Sequence, residues 1–395
     1  MTSQRVSRAG ARAATRHVPV LTVALAALCV CAASPACAAT APQPPKAAAS
    51  CVDTVFDAMT DRQRVGQLFA GGLSAAQPDP RQVLLLTGNQ VGTVFLAGRS
   101  AAGTQATARV VAGLEKAAAG QPAGLLMATD QEGGQVQVLS GPGFTAMPSA
   151  LVQGGWQAGT LTAAAKTWAQ ELKAAGVDLN FAPVADVVPA GLGKANAPIG
   201  AFDREFGSTS GVVATHSTAF LAGFQQAGVL ATLKHFPGLG AVTGNTDVTA
   251  GVVDSVTTQQ STSLAPFAEG IKAGAPFVMV SLATYAGIDP QHRAVFSAQV
   301  MRQLLRTQLG FKGVVVSDDL GNAKQVQDLA PGDRAVAFLA AGGDMVLTVN
   351  ANAVPAMTRA VRQQMAADQG FRSTVGESVK RILNAKQQVG LLTCQ

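Results

Sequence analysis

A chain of 395 residues that is 48% hydrophobic and 13% charged can bury a large core, and its length fits one large or two medium domains. Few aromatic residues and abundant Ala, Gly and Val exclude a disordered chain or a repeat array and fit a close-packed α/β enzyme. Most of the formal charge of +6 sits at the N-terminus: residues 1–37 hold four Arg and no acid, and the remaining 25 Lys/Arg against 23 Asp/Glu give no ground for a nucleic-acid surface.

The first element is an export signal. "MTSQRVSRAGARAATRH" carries Arg5, Arg8, Arg12 and Arg16, "VPVLTVALAALCVCAA" is an apolar run, and "SPACAAT" supplies small residues. That order is a signal peptide over 1–37; the run is short for a spanning helix, a retained membrane anchor being the alternative. Ala36-Cys37-Ala38 fits a peptidase site, and Cys37 behind small residues equally fits lipid attachment. Residues 38–50, "AATAPQPPKAAAS", read as a Pro/Ala tether with no core of their own. With Cys29, Cys31 and Cys37 in the signal region, Cys51 and Cys394 remain near the two ends of the domain at 51–395. An exported compartment permits a bridge between them, worth about 4–5 kcal/mol in the loop-entropy account. Two free thiols are the alternative.

From residue 51 onward, short apolar runs give way repeatedly to amphipathic helical stretches. The runs lie at 65–73, 91–98, 124–130, 176–184, 229–236, 276–283, 313–319 and 344–349. Between them, "ARVVAGLEKAAAG", "AAAKTWAQELKAAG" and "HSTAFLAGFQQAG" have helical spacing, the last two ending in the Gly expected just past a helix. Near-continuous apolar strands alternating with helices imply a parallel sheet covered on both faces. Eight such units predict a single (β/α)₈ TIM-type barrel. A doubly wound open sheet is the alternative, but no G-x-G-x-x-G turn opens a helix, so no dinucleotide cofactor is expected.

Barrel active sites sit at the C-terminal ends of the strands. Asp130 ends the third run, Asp186 follows the fourth, Lys234 and His235 end the fifth, and Asp318 with Asp319 end the seventh. Any one acid could simply cap the following helix. Several converging on one rim point to a site.

Six stretches then occur in order: "DQEGGQVQVL" (130–139), "GFTAMP" (143–148), "NFAPVADV" (180–187), "FDREFG" (202–207), "KHFPGLG" (234–240) and "GVVVSDDLG" (313–321). Together they resemble the catalytic barrel of glycoside hydrolase family 3, in the branch of single-domain bacterial β-N-acetylglucosaminidases that act on cell-wall fragments. The resemblance covers roughly residues 55–390. It implies that Asp318 is the carboxylate nucleophile of a retaining mechanism, with Asp319 ordering the loop or capping a helix. It also implies that Asp130, Arg204, Lys234 and His235 hold sugar hydroxyls. For Lys234 and His235 the plainer role is an internally satisfied polar pair, and for Arg204 an ion pair with Asp203 or Glu205.

The sequence departs from the family at the proton donor. Many relatives read "KHFPGHG" and then Asp-Ser-His, whose Asp–His dyad is the acid/base; here Leu239 replaces the middle His, and Asn245, Thr246 and Asp247 replace the triplet. Asp247 is therefore the expected acid/base, acting as a plain carboxylic acid if its surroundings raise its pKa. Asp254 is a weaker candidate, and loss of hydrolysis of poor leaving groups is the third possibility. Gly238, Gly240 and Gly244 allow a loop that closes over the sugar. A second departure is Gln135 where relatives carry Arg after "EGG", which bears on the neighbouring sugar. His216, His235 and His292 lack metal-ligand spacing, so no metal is implied. Trp156 and Trp168 are at helical spacing and are expected in the core.

The expectation is an exported, monomeric barrel of the cell envelope, lipid-anchored or secreted, that takes terminal β-N-acetylglucosaminides from peptidoglycan turnover as its carbohydrate substrate. The alternatives are a β-glucosidase of the same family and a non-hydrolytic sugar-binding lipoprotein.

Overall fold

The computed structural model describes residues 50–392. The export segment at 1–37, the tether up to residue 49 and Cys394 lie outside the described residues. The Ser50 hydroxyl accepts from the Asp53 amide and caps the first helix, Cys51–Ala58. Cys51 is disulfide-bonded.

Thr60 and Gln63 form a reciprocal capping box that starts helix Asp61–Gln67. That cap draws Val65 and Gly66 into the helix, so the first strand begins at Phe69 rather than within the front of the 65–73 run. Each of the eight apolar runs does contain one strand of a single sheet. In chain order these are β1 Phe69–Ser74, β2 Thr93–Ala97, β3 Leu126–Thr129 and β4 Leu179–Asn180. They continue as β5 Leu230–Phe236, β6 Phe277–Val280, β7 Val314–Ser317 and β8 Val346–Thr348.

Neighbours pair in parallel in the order β7-β6-β5-β4-β3-β2-β1-β8. A parallel bridge between Val316 and Met345 brings β7 to β8 and closes the ring. This is the (β/α)₈ barrel predicted from the alternation. All seven residues of β5 are buried, as a strand covered on both faces must be.

The outer helices form where the apolar period is 3.6. Ala158–Ala174 and Ser210–Ala227 pack side by side, and the second stops at Gly228, whose φ of 70° costs a glycine little. Trp168 is buried and Trp156 packs beside it, ring centroids 6.2 Å apart, so both belong to the core as their spacing implied.

The last helix, Gln369–Gln388, pins itself to the barrel through a fully buried lysine. Lys386 Nζ donates to Gln67 Oε1 at 2.6 Å, Gly92 O at 2.8 Å and Gly124 O at 2.7 Å. Three donors meet three acceptors, which is what a buried ammonium requires.

Candidate active site

The C-terminal ends of β3, β5 and β7 and their following loops surround one cavity of about 300 Å³. Asp130, Arg204, Lys234, His235, Asp247 and Asp318 all line it. The six residues expected first for catalysis or sugar binding therefore meet in one place. The volume is at the small end of ligand cavities, suited to one sugar ring and its substituents.

Its floor is a charge lattice. Lys234 Nζ lies 2.7 Å from Asp130 Oδ1 and 2.5 Å from Glu132 Oε1. Arg204 donates through Nε and Nη2 to the two Glu132 oxygens, each at 2.8 Å, and through Nη1 to Pro198 O at 2.8 Å. Burial by itself would raise the Glu132 pKa, but the Arg204 and Lys234 charges outweigh it and hold the carboxyl at about 2. The same pairing raises Arg204 and Lys234 against the opposing effect of burial, so both stay cationic.

Arg204 thus avoids both neighbours named as its simple partners: Asp203 pairs with Lys194 at 2.5 Å instead. Lys234 is internally paired and also cavity-lining, so its two readings coexist. Glu132 was not singled out from sequence.

His235 is held by a second buried carboxylate. Its Nδ1 lies 2.7 Å from Asp186 Oδ2, and Asp186 Oδ1 accepts from the backbone amides of His235 at 3.1 Å and Leu239 at 2.8 Å. With Nδ1 engaged, Nε2 is the nitrogen left to face the cavity. Asp186 thereby fixes both the imidazole and the first turn of the loop after β5.

That loop is held along its length. The Asn196 amide donates to Leu239 O, Gly240 O and Val242 O at 2.7, 3.1 and 2.8 Å, and the Tyr285 hydroxyl donates to Gly238 O at 2.8 Å. Gly240 passes so close to Val187 that a Cβ would stand 1.8 Å from its carbonyl oxygen. Asn245, in the place of the family's dyad Asp, makes a turn: its side chain accepts from the Asp247 amide at 2.9 Å. Asp247 meets solvent on one side and the cavity on the other. The loop expected to close over a sugar already stands docked.

Asp318 follows β7, and its Oδ1 accepts from the Asp319 amide at 2.8 Å. Asp319 accepts from the amides of Gly321, Asn322 and Val349, which is the loop-ordering role expected of it. Burial raises the Asp318 pKa, with the nearby His235 opposing. Asp247 is pushed up to about 6 by desolvation and by the Asp318 charge. The Asp318 charge opposes ionisation of Asp247, so the two carboxyls titrate as a pair.

Asp254, the weaker acid candidate, is removed from this chemistry. It is buried in the strand Val253–Thr258, where it accepts from the Val256 and Thr257 amides and the Thr257 hydroxyl, and it does not line the cavity. His216 has Val212 O and Trp156 O against its two ring nitrogens. Gln135 is exposed, and Arg99 from the loop after β2 donates to its carbonyl and, at 2.9 Å, to that of Gln137. A cation therefore stands beside the position where relatives have one.

Comparison with known proteins agrees with this geometry. Residues 60–385 match the profile of the glycosyl hydrolase family 3 N terminal domain. A β-N-acetylhexosaminidase from Beutenbergia cavernae DSM 12333 is 51% identical with a TM-score of 0.81, over 83% of this chain and 99% of that one. A family 3 β-N-acetylglucosaminidase from Paenibacillus sp. str. FPU-7 is 30% identical with a TM-score of 0.75, over 86% of this chain and 64% of that one. A β-hexosaminidase of Xylella fastidiosa (strain M23) is 39% identical over 260 residues, 64% of this chain and 74% of that protein. With the profile spanning most of the barrel and four of the six motif stretches lining one cavity, the chain belongs to glycosyl hydrolase family 3.

Proposed function

We propose that the protein is a retaining exo-β-N-acetylglucosaminidase acting on peptidoglycan-derived fragments, with Asp318 as nucleophile and Asp247 as acid/base. The observation that carries this reading is the meeting of Asp318 and Asp247 in one small cavity over a neutralised Asp130–Lys234–Glu132–Arg204 floor. A cavity with room for one sugar supports attack at a chain end. Relatives named for β-N-acetylhexosaminidase activity support the amino sugar as glycone.

In the first half-reaction an Asp318 oxygen attacks the anomeric carbon, the glycosidic C–O bond breaks, and the Asp247 proton passes to the leaving oxygen. In the second, the Asp247 carboxylate takes a proton from water. The water oxygen bonds to the anomeric carbon and the Asp318 carboxylate departs. The Asp130 carboxylate and the Lys234 and His235 donors fix sugar hydroxyls. The signal-like segment at 1–37 supports a place in the cell envelope, with the protein secreted or anchored through lipid at Cys37.

The test is release of nitrophenol from nitrophenyl β-N-acetylglucosaminide and from the matching β-glucoside. The amino sugar is turned over faster, and Asp318→Asn abolishes it. Preference for the glucoside would move the protein to the β-glucosidases, and sugar binding without turnover would make it a binding protein.

A further inference from the structure

The loop carrying Asp247 is docked onto the loop carrying Asp318, and one side chain adds two bonds to the two that backbone amides make across the joint. Gln325 lies in the short turn Lys324–Val326, seven residues past Asp318, and is 2% exposed. Its Oε1 accepts from the Val252 amide at 3.0 Å and its Nε2 donates to the Val252 carbonyl at 3.1 Å. The side-chain amide thus pairs with a backbone amide as a neighbouring strand would. Beside it, the backbone amides of Lys324 and Gln325 donate to Asp247 O at 2.9 Å and Thr246 O at 3.0 Å.

The platform beneath is itself braced. Arg334 Nη1 donates to Leu320 O and Gly321 O at 2.8 and 3.2 Å, and its Nη2 to Gln327 Oε1 at 3.0 Å. The Asp319 carboxylate ties the same loop to the Val349 amide after β8. Rigidity therefore runs from the nucleophile's loop, through Gln325, to the acid's loop.

We propose that Gln325 is a positioning residue that holds Asp247 in register with Asp318, so that the two carboxyls work on one anomeric centre. This rests on Asp247 being the acid/base and deepens that reading. Val252 is 5% exposed, so removing the Gln325 amide leaves the Val252 N–H without a partner in a buried place, while its carbonyl keeps the Thr284 amide at 3.1 Å. The loop then gains by moving to water, and Asp247 moves with it. Asp318 keeps its own bonds.

Gln325→Met keeps the volume and removes both bonds. Hydrolysis of a β-N-acetylglucosaminide with an alkyl leaving group, which needs protonation, falls about 100-fold in kcat, the usual cost of misplacing a reacting group by about 1 Å. Glycosylation by the dinitrophenyl glycoside, which needs no acid, falls less than about threefold by the same reasoning. Azide, which attacks the glycosyl–Asp318 ester without base assistance and displaces the carboxylate as a β-glycosyl azide, accelerates turnover of the dinitrophenyl substrate by the variant and not by the wild type. Backbone hydrogen exchange over residues 244–252 rises in the variant, with the barrel strands unchanged.

Equal losses for both leaving groups, or unchanged exchange over 244–252, would overturn the proposal. Raised exchange together with an Asp247→Asn variant that shows no dependence on the leaving group would leave the loop contact standing and sink the acid assignment instead. The two failures are therefore distinguishable.

Discussion

Asp247 and Asp318 have to be read as a pair. Each has its pKa raised first by burial, and Asp247 is raised further by the Asp318 charge. Catalysis needs the state with one proton, held by Asp247 and absent from Asp318. As pH rises through about 6, Asp247 loses that proton and cleavage of poor leaving groups declines. As pH falls, Asp318 takes up a proton and the nucleophile is lost. The kcat/KM profile is therefore bell-shaped, with apparent pKa values that belong to the pair. Asp247→Asn removes the limb near pH 6 and lowers activity on alkyl glycosides by about 10²–10⁴-fold; an unchanged upper limb would assign that proton to another group. An acid at this position answers the substitution of the family's dyad. On the proposed assignment a single carboxyl with a raised pKa would do the work for which relatives use an imidazole backed by an aspartate, with Asn245 making the turn beside it.

Among the elements, the strands were legible because burial on both faces leaves an unbroken apolar run, as in Leu230–Phe236. The front of the first run misled because Thr60 and Gln63 claim Val65 and Gly66 for a helix, and apolar content cannot separate the two. Loop contacts made by neutral amides were not legible at all. Asn196 and Gln325 carry no charge pattern, and their partners are backbone groups more than 40 residues away. Lys386 is an element-scale fastener of the same hidden kind. Burial lowers its pKa to about 7, so between pH 7 and its unfolded value of 10.5 the unfolded chain binds the proton more tightly. Stability then rises with pH across that window. Lys386→Ala abolishes that slope and, by leaving Gly92 O, Gly124 O and Gln67 without their donor, costs about 3 kcal/mol in urea unfolding near neutral pH. A variant as stable as wild type with the slope intact would show that the last helix is held by packing alone.

At the scale of the whole molecule, the barrel explains why residues from 130 to 318 can form one site: parallel closure brings every strand's C-terminal end to the same rim. Asp130, Lys234, His235 and Asp318 were therefore found from sequence by strand position, and Arg204 and Asp247 through the family resemblance. Glu132 was not, because its partners Lys234 and Arg204 become neighbours only when β3, β5 and the intervening loop meet. The family match over residues 60–385 and the shared cavity support the double-displacement reading beyond any one motif. Its central claim is a covalent bond to Asp318, released with help from Asp247. The most direct measurement is intact and peptide mass spectrometry of Asp247→Asn mixed with dinitrophenyl β-N-acetylglucosaminide, which glycosylates quickly and releases slowly. The account predicts one N-acetylglucosaminyl adduct, on the peptide containing Asp318 and lost on adding azide. An adduct on another residue, or rapid turnover with no adduct, would contradict it.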